Sequence, residues 1–310
     1  MKPTARTIVL AASVLALSAA AASATGPAQR QSRVDRDMKA FGTETVSKTL
    51  AFADPSKPGE VVVDNLYGPI KVEAHAGREV VLEAKKIVYA RDEARAAKAE
   101  AEVRLDITAK GNTIEAYVDG PFRETEAERR SRGIHTRGDP GYLVYYGFTL
   151  KVPARTDLVL ATVIDGDIEV RGVEGVFDVR NVTNPVRLVD AAGSGGAESV
   201  AGGVTVAFRR HPEGPCSFKS VSGDVEVDFP GEPSADFRIK TMNGEAYSDF
   251  AVTYLPKAPP VRQERPEEGG KYVYRSDGGY GVRTGKGGPE IKLETLTGDI
   301  LIAKRGKSTS

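Results

Sequence analysis

A turn-and-strand phrase that recurs along residues 161–250 constrains the fold of this chain more than any other feature. In its clearest copy, Gly166 has Ile164 two residues before it, and Ile168 and Val170 two and four residues after it. The phrase returns at steps of nine and then 21 residues, and at two distant places, so that its turn residues are Gly68, Gly166, Gly175, Asn184, Gly193, Gly202, Gly223, Gly244 and Gly298. We expect all three apolar places of each copy to face inward, because a fixed repeat indicates units that share one core.

The phrase predicts short strands that need neighbours on both sides. A mostly polar residue separates the two apolar places after each turn, which is the alternation of a half-buried strand. Two buried side chains at about 1.5–3 kcal/mol each do not offset about 1–2 kcal/mol of backbone entropy for every ordered residue. A nine-residue step is also too short for a helical crossover. The sequence therefore predicts an all-β fold, a parallel β-solenoid or β-helix-like stack. Two nine-residue halves would form one turn of the solenoid, and a 21-residue step would be the same turn with a longer loop.

The turn residues favour local backbone chemistry over metal binding. Glycine tolerates positive φ in a sharp turn, and asparagine, as at Asn184, is the next best residue there. The residue before the turn can hydrogen-bond the local backbone; it is Asp165, Thr183, Ser222, Asn243 or Thr297. The alternative is a set of calcium sites, as in nonapeptide rolls, built from Asp165, Asp167, Asp224 and Asp299. Those rolls require a second glycine in each unit, which this repeat lacks.

The start of the chain has the composition of an export signal. Lys2 and Arg6 precede an apolar run at 8–20, and small residues at 22–24 form a cleavage site. We expect a cut after Ala24, and no lipid anchor because no cysteine stands there. The apolar run is too short to span a bilayer, and the sequence predicts no transmembrane segment. The mature protein is therefore expected to be periplasmic or secreted. A formal net charge of zero gives no indication of a nucleic-acid partner.

Beyond the signal peptide at 1–24, the sequence predicts four segments. They are a flexible leader at 25–44, an N-terminal β section at 45–152, a repeat region at 153–304 and a polar tail at 305–310. One helix is predicted near 92–102, with Asp92 as its N-cap, and we expect it to lie across one end of the sheet. The turn at Lys110-Gly111-Asn112 predicts a hairpin.

Two inserts and a lone cysteine lie outside the repeat. Residues 119–141 mix both charges densely and predict a solvated loop, with an adhesive patch as the alternative. Residues 256–270 predict a long exposed loop. Residues 277–289 predict a flexible glycine-rich loop, because a phosphate cradle would need a helix that starts with Gly-Lys-Ser/Thr. Cys216 has no partner for an internal disulfide, so it is either a partly buried small residue or a thiol that pairs between chains.

Several segments resemble one bacterial family. The resemblance begins at 63–72 (Val-Asp-Asn-Leu-Tyr-Gly-Pro-Ile-Lys-Val), continues through the helix and the approach at 148–153, and is fullest at 220–227 (Ser-Val-Ser-Gly-Asp-Val-Glu-Val). Related phrases follow at 241–245 and 295–300. Over about residues 46–304 the chain resembles the bacterial β-strand-repeat adhesin-like family, a domain of unknown function. The resemblance implies a solenoid-like β fold and an envelope or extracellular setting, and it brings no catalytic or binding residues.

The sequence favours a non-enzymatic exported protein of the cell envelope, an adhesin-like binding or scaffold module. No catalytic, cofactor-binding or metal-binding residue stands out, and the binding residues stay unassigned. The candidate partners are an envelope polysaccharide or a surface protein. The alternative is a polysaccharide-active enzyme on a β-helix, with carboxylates from the inserts at 119–141 and 256–290 converging over a groove. A signalling accessory is a third hypothesis, which the sequence neither supports nor excludes.

Calcium should leave the melting temperature unchanged, because the turn aspartates are assigned to backbone hydrogen bonds. Calorimetry in calcium and in a chelator tests this, with magnesium as the control for general ionic effects. A rise of several degrees in calcium alone would contradict the assignment, since an ion that binds only the folded state raises apparent stability.

Overall fold

The computed structural model describes residues 37–123, 139–256 and 279–306 in full, and residues 261–264 and 272–275 by their backbone alone. Within them the chain is mostly β with one helix, as predicted. The first section contains β1 (Lys39–Ala51), β2 (Gly59–Asp64), β3 (Ile70–His75), β4 (Glu79–Ala90), α1 (Glu93–Glu102), β5 (Arg104–Lys110), β6 (Thr113–Asp119) and β7 (Tyr142–Pro153). The export signal at 1–24 lies outside the described residues.

The repeat region supplies the remaining strands. Its first part contains β8 (Thr156–Thr162), β9 (Ile168–Arg171), β10 (Phe177–Asn181), β11 (Val186–Ala191), β12 (Gly195–Ser199), β13 (Val204–Phe208), β14 (Cys216–Ser220) and β15 (Val225–Phe229). Its second part contains β16 (Ala235–Asn243), β17 (Ala246–Ser248), β18 (Thr253–Leu255), β19 (Val261–Glu264), β20 (Tyr272–Arg275), β21 (Tyr280–Thr284), β22 (Glu290–Thr297) and β23 (Ile300–Lys304).

These strands form two large mixed sheets and one small ribbon. The first sheet has the order β1-β4-β7-β3-β9-β11-β13-β15-β23-β17, and the second has the order β18-β21-β16-β22-β14-β12-β10-β8-β2-β6-β5. Strands β19 and β20 pair only with each other among the described residues. Both large sheets end in edge strands, so the fold is not a closed barrel.

Along the stack, a strand of the second sheet is followed in the chain by a strand of the first sheet, and we call each such pair a rung. In spatial order the rungs of the described chain are β2/β3, β8/β9, β10/β11, β12/β13, β14/β15, β22/β23 and β16/β17. Neighbouring rungs pair in parallel in both sheets. Strands β6 and β7 pair in parallel with β2 and β3 and are joined through the 119–141 insert. The first section and the repeat region therefore share both sheets.

The last rungs do not follow chain order, which corrects the expectation that Gly244 comes one turn after Gly223. Strand β15 pairs with β23, and β23 pairs with β17, so the phrase around Gly298 lies between them. The reason is apolar content. The Gly298 phrase buries Ile300 and Ile302 completely or nearly so. The Gly244 phrase offers only Ala246 and Ser248, which suit the end of the stack.

The two residues that follow a turn at alternate positions face the interior at most turns, as predicted; after Gly244, Ala246 is half-buried and Ser248 is exposed. One column of fully buried aliphatics crosses six rungs in register: Ile70, Ile168, Val186, Val204, Val225 and Ile300. Phenylalanines thicken the core toward the later rungs, where Phe208 and Phe229 stack at 5.4 Å and Phe177 and Phe218 at 6.4 Å. Strands that could not stand alone thus share one core.

Glycine is needed at most turns because neighbouring backbones nearly touch. A Cβ on Gly166 would lie 2.0 Å from the backbone of Gly68, and one on Gly202 would lie 2.4 Å from Asn184. Among the turn residues that join the two strands of a rung, only Gly68, Gly244 and Gly298 have a φ in the positive region. The expectation of positive φ is therefore wrong for Gly166, Asn184, Gly202 and Gly223. At the three glycines, close approach of the neighbouring backbone imposes the requirement for glycine instead.

The N-terminal section ends the stack. Strands β4 and β1 continue the first sheet antiparallel to β7. Helix α1 follows β4 and precedes β5 of the second sheet, and it buries Ala96 and Ala99 in the common core. The Asp92 side chain caps the helix by accepting the Arg95 N–H at 2.8 Å, as predicted. Strands β5 and β6 form the expected hairpin. Strand β1 begins at Lys39, so the expectation of a flexible leader is wrong for residues 39–44.

Two predicted loops contain strands. The segment 256–270 includes β19, and the glycine-rich segment 277–289 includes β21. Strand β21 pairs antiparallel with β16 and buries Val282, and the Thr284 hydroxyl donates to the Pro233 carbonyl at 2.7 Å. These contacts fix a segment that its glycine content alone indicated to be flexible. Residues 124–138 of the charged insert lie outside the described residues.

Replacing Gly166 by alanine should lower the free energy of unfolding by about 1–3 kcal/mol or more, because the new methyl group overlaps the Gly68 backbone. Gly231→Ala is the matched control, since a Cβ there meets nothing within 4 Å and its φ is not positive. That variant should stay within about 0.5 kcal/mol of the parent. Urea denaturation measures both, and equal stabilities would contradict the stacked turn.

Candidate functional site

An exposed row of aliphatic side chains runs along the stack, one from each rung, two residues before each turn. We call it the apolar stripe; in spatial order its members are Leu66, Ile164, Val182, Val200, Val221, Leu296 and Met242. The first two are half-buried, but Val200 is 46% and Met242 69% exposed. The expectation that this position faces inward is therefore wrong from Val182 onward. It is confirmed only at the turns of Gly175 and Gly193, which join one rung to the next, where Val173 and Ala191 are buried.

Backbone hydrogen bonds hold the stripe straight. The Ile164 N–H donates to the Leu66 carbonyl at 2.8 Å, and the Thr297 N–H donates to the Val221 carbonyl at 2.9 Å. Equivalent bonds join the rungs between them. Strands in a sheet lie about 4.8 Å apart, so the seven members span about 29 Å along the stack.

A row of buried polar side chains explains why the stripe faces outward. These side chains stand at the end of the second-sheet strands and donate to the turn carbonyl of the preceding rung. Their bonds to these carbonyls are Thr162 to Gly68 (2.9 Å), Asn181 to Gly166 (2.8 Å), Ser199 to Asn184 (2.9 Å), Ser220 to Gly202 (2.9 Å) and Thr295 to Gly223 (2.9 Å). Because the polar residue takes the inward place, the next residue along the strand points to solvent. In the rung of β8 and β9 the residue after Thr162 is Val163, and Ile164 lies one position closer to the turn.

Short, exposed side chains lie beside the apolar stripe. They occupy the position just before the turn, between the stripe and the first sheet. In the later rungs this position holds Thr183, Ala201, Ser222, Thr297 and Asn243. The Thr183 hydroxyl donates to the Val163 carbonyl at 3.0 Å, so the predicted turn bond exists but reaches the neighbouring rung.

Carboxylates follow the turns, on the far side of these short residues. We call them the acidic row: Asp167, Asp224, Asp299 and Glu245, each directly after its turn. An Asp224 oxygen accepts the Asp299 N–H at 2.8 Å, and an Asp299 oxygen accepts the Glu245 N–H at 2.9 Å. Asp167 pairs with Arg187 at 2.9 Å. These bonds support the assignment of the turn aspartates to backbone chemistry, and the described residues contain no group of three or more His, Cys, Asp or Glu arranged to hold a metal ion.

Two more acids lie behind the acidic row on β15. Partial burial raises the pKa of Glu226, and the charges of Asp228 and Asp224 raise it further. Burial also raises the pKa of Asp228, against the opposing effect of Arg305. The later rungs therefore concentrate negative charge at the surface beside Val221, Leu296 and Met242.

The outer face of the second sheet is charged but internally paired. Arg180 pairs with Asp178 at 2.8 Å and with Glu198 at 3.4 Å. Farther along the stack, Arg283 pairs with Asp236 at 2.7 Å. Exposed pairs of this kind keep a sheet face soluble and contribute little stability.

A depression of about 340 Å³ lies on the opposite side of the stack, and Arg155, Asp157, Glu174 and Arg210 contribute to its lining. Most of its charged groups already serve the structure. Asp157 accepts the Val176 N–H at 2.7 Å, and Glu174 pairs with Arg209 at 2.6 Å. The Arg210 guanidinium donates to the Ala192 carbonyl at 3.0 Å. The depression therefore presents no pair of free carboxylates for acid–base chemistry.

Cys216 is buried in the wall of the core, which favours the first of the two alternatives weighed for it. Burial raises the pKa of its thiol to about 11, so the reactive thiolate is scarce at neutral pH. Of the residues that the sequence singled out, the structure brings the turn aspartates into one row. It leaves Cys216 apart from that row. The apolar stripe was missed, although the Ser, Thr or Asn three residues before most turns signals it.

The fold and this surface define a β protein with an exposed apolar stripe and an acidic border. In the described part of the chain no helix is long and apolar enough to cross a membrane.

No family model matches this chain, and no curated protein matches it. Among solved structures, it is similar to a "putative cell adhesion protein" from Clostridium sporogenes, with a TM-score of 0.39, 10% identity, and coverage of 85% of this chain and 100% of the other. A "putative adhesin" from Bacteroides fragilis gives a TM-score of 0.34 at 10% identity, covering 84% and 97%. A "putative lipid binding protein" from Parabacteroides distasonis gives 0.25 at 11%, covering 84% and 96%.

Replacing Glu226 by glutamine should stabilise the protein at neutral pH. Because the pKa of Glu226 is raised in the folded state, the protonated side chain stabilises the fold at low pH. This stabilisation is lost as the pH rises through the raised pKa. The gain should be about 0.2–1 kcal/mol at neutral pH and should vanish below about pH 4. Urea denaturation at both pH values measures it. The exposed Glu83→Gln on β4 is the control, and an equal gain there would contradict this explanation.

Proposed function

We propose that this chain is an exported, non-enzymatic protein of the cell envelope, an adhesin-like binding module whose stacked rungs form a parallel β-solenoid. The parallel pairing of neighbouring rungs in both sheets supports the solenoid assignment. The export-signal composition of residues 1–24 supports a periplasmic or secreted location. An envelope polysaccharide or a surface protein is the candidate partner.

The apolar stripe is the observation that carries the proposal. Single exposed aliphatic residues are common on protein surfaces, whereas contiguous rows are rare and mark contact sites. Here the members Val182, Val200, Val221, Leu296 and Met242 are consecutive in space and at least 39% exposed. A rigid stack holds them in line, so a partner can cover several at once without reordering the surface.

The polysaccharide-active enzyme gains no support from the described residues. That hypothesis needs carboxylates from the inserts at 119–141 and 256–290 to converge over a groove. Residues 124–138, 257–260, 265–271 and 276–278 lie outside the described residues, and no side chain is described for the rest of 257–278. Of the three described acids that line the depression, Asp157 accepts a backbone N–H and Glu174 pairs with Arg209, which leaves Glu213 without a second free carboxylate beside it.

A polar stripe should abolish binding and leave the fold intact. We define the stripe variant as Val200→Thr, Val221→Thr and Leu296→Gln combined, because these changes keep side-chain size at exposed positions. Co-sedimentation with an isolated envelope fraction should retain the parent protein and lose the stripe variant. Val176→Thr is the matched control, since Val176 is 57% exposed but lies outside the stripe.

Two results would contradict the proposed function. One is co-sedimentation of the stripe variant to the same extent as the parent, with both showing the same melting temperature. The other is release of soluble sugar fragments from peptidoglycan or capsular glycan by the parent protein, which would favour the enzyme.

A further inference from the structure

We propose that the partner segment is a cationic amphipathic helix that lies along the apolar stripe, with its basic side chains over the acidic row. This inference rests on the proposed function and names the chemistry of the ligand at the same surface. It follows from three features of the described residues: the spacing of the stripe, the short side chains beside it and the negative charge at its border.

The spacing of the stripe fits a helix better than a strand. Rungs are about 4.8 Å apart, and one turn of an α-helix rises 5.4 Å, so apolar side chains that recur once per turn follow successive rungs closely. Side chains on one face of an extended strand recur at about 6.7 Å and lose register after one rung. Over the three rungs of Val221, Leu296 and Met242, a helix departs from register by only about 1 Å.

The short side chains beside the stripe leave a helix room to approach. Ala201, Ser222 and Thr297 have short side chains at the position between the stripe and the acidic row. Side chains on one flank of a docked helix can therefore descend toward the turn backbone while its apolar face covers Val200, Val221 or their neighbours. Ridge-into-groove contact of this kind is how helices pack against surfaces.

The negative charge beside the stripe favours a basic ligand. Asp224 and Asp299 stand in adjacent rungs, and neither lies within 4.0 Å of a described Lys or Arg nitrogen. On β15, which begins directly after Asp224, burial raises the pKa of Glu226, and the charges of Asp228 and Asp224 raise it further. Only Asp167, at the other end of the row, has an arginine partner. Lysines or arginines along one flank of a helix would offset this repulsion in the last three rungs.

The same charge argues against a lipid surface. Membrane surfaces with anionic lipids carry a negative potential, which would repel Asp224, Asp299 and Glu245. A bilayer also offers a plane, whereas the stripe is one residue wide and bordered by the acids on one side and by the charged outer face of the second sheet on the other. A narrow cylinder with separate apolar and basic faces matches both borders.

A pair of synthetic peptides tests the inference directly. Each is about 18 residues long, roughly 27 Å as a helix, with leucines at helical spacing on one face; one carries lysines on the polar face and the other glutamates. Fluorescence anisotropy measures the binding of each labelled peptide to the intact protein. The lysine peptide should bind at least tenfold more tightly than the glutamate peptide. Its affinity should fall as salt is added.

Variants separate the apolar and the charged contributions. The stripe variant should bind the lysine peptide at least tenfold more weakly than the parent does. Asp224→Asn combined with Asp299→Asn should weaken this binding about fivefold, because asparagine keeps the oxygen that accepts the backbone N–H and removes only the charge. Glu83→Gln, a remote exposed change on β4, should leave the binding unchanged.

The outcomes distinguish this inference from the function on which it rests. If both peptides bind equally and the asparagine variant changes nothing, the cationic assignment is overturned; a loss in the stripe variant would still support the binding function. If the stripe variant binds both peptides as the parent does, the inference falls; the proposed function falls with it only if that variant also co-sediments with the envelope fraction as the parent does. Binding of phosphatidylcholine vesicles that depends on the stripe, without binding of either peptide, would overturn the helix in favour of lipid. The absence of any binding would overturn the inference alone.

Discussion

The close stacking of turn backbones between rungs is the constraint on which the structure depends. At Gly166, a Cβ would fall 2.0 Å from the Gly68 backbone, so neighbouring rungs meet there with no room for a side chain. Each turn carbonyl in this stack must find a donor, since a buried unpaired polar group costs about 1–3 kcal/mol. The buried hydroxyls and amides at the ends of the second-sheet strands supply those donors, as Ser220 does for Gly202 at 2.9 Å. The glycines at the turns and the buried polar side chains next to them are therefore both consequences of the close contact between turn backbones.

That contact also decides which side chains reach the surface. Strand alternation assigns every second residue to the interior. Once Ser199 and Ser220 occupy the inward place to reach turn carbonyls, Val200 and Val221 must point outward. An interior with Val200 inward and Ser199 outward would bury more apolar area, but it would leave the turn carbonyls without partners. The stripe is thus the structural result of satisfying the turns, and binding is a use that the exposed row makes available.

Much of the fold could be predicted because period and turn spacing are local signals. The buried column through Ile168, the helix capped by Asp92 and the β5–β6 hairpin each follow from a few adjacent residues. The insertion of the Gly298 rung ahead of the Gly244 rung could not be predicted from spacing, because it depends on which of two distant phrases buries more. The stripe was missed since apolar residues were assumed to face inward. A carbonyl that needs a donor from the next rung cannot be seen in one phrase alone.

The chain contains its own comparison for the meaning of the stripe. Two residues before each stripe position, most rungs carry another exposed or half-exposed side chain on the second sheet, and there the residues are largely charged, as with Arg180, Glu198 and Lys219. Exposure is similar at the two positions, so burial does not explain why one is aliphatic in every rung. Strand propensity favours β-branched residues and would account for valine, but Leu296 and Met242 are not β-branched. Contact with a partner, as we propose, is a requirement at the outer surface that accounts for the valines and for these two residues.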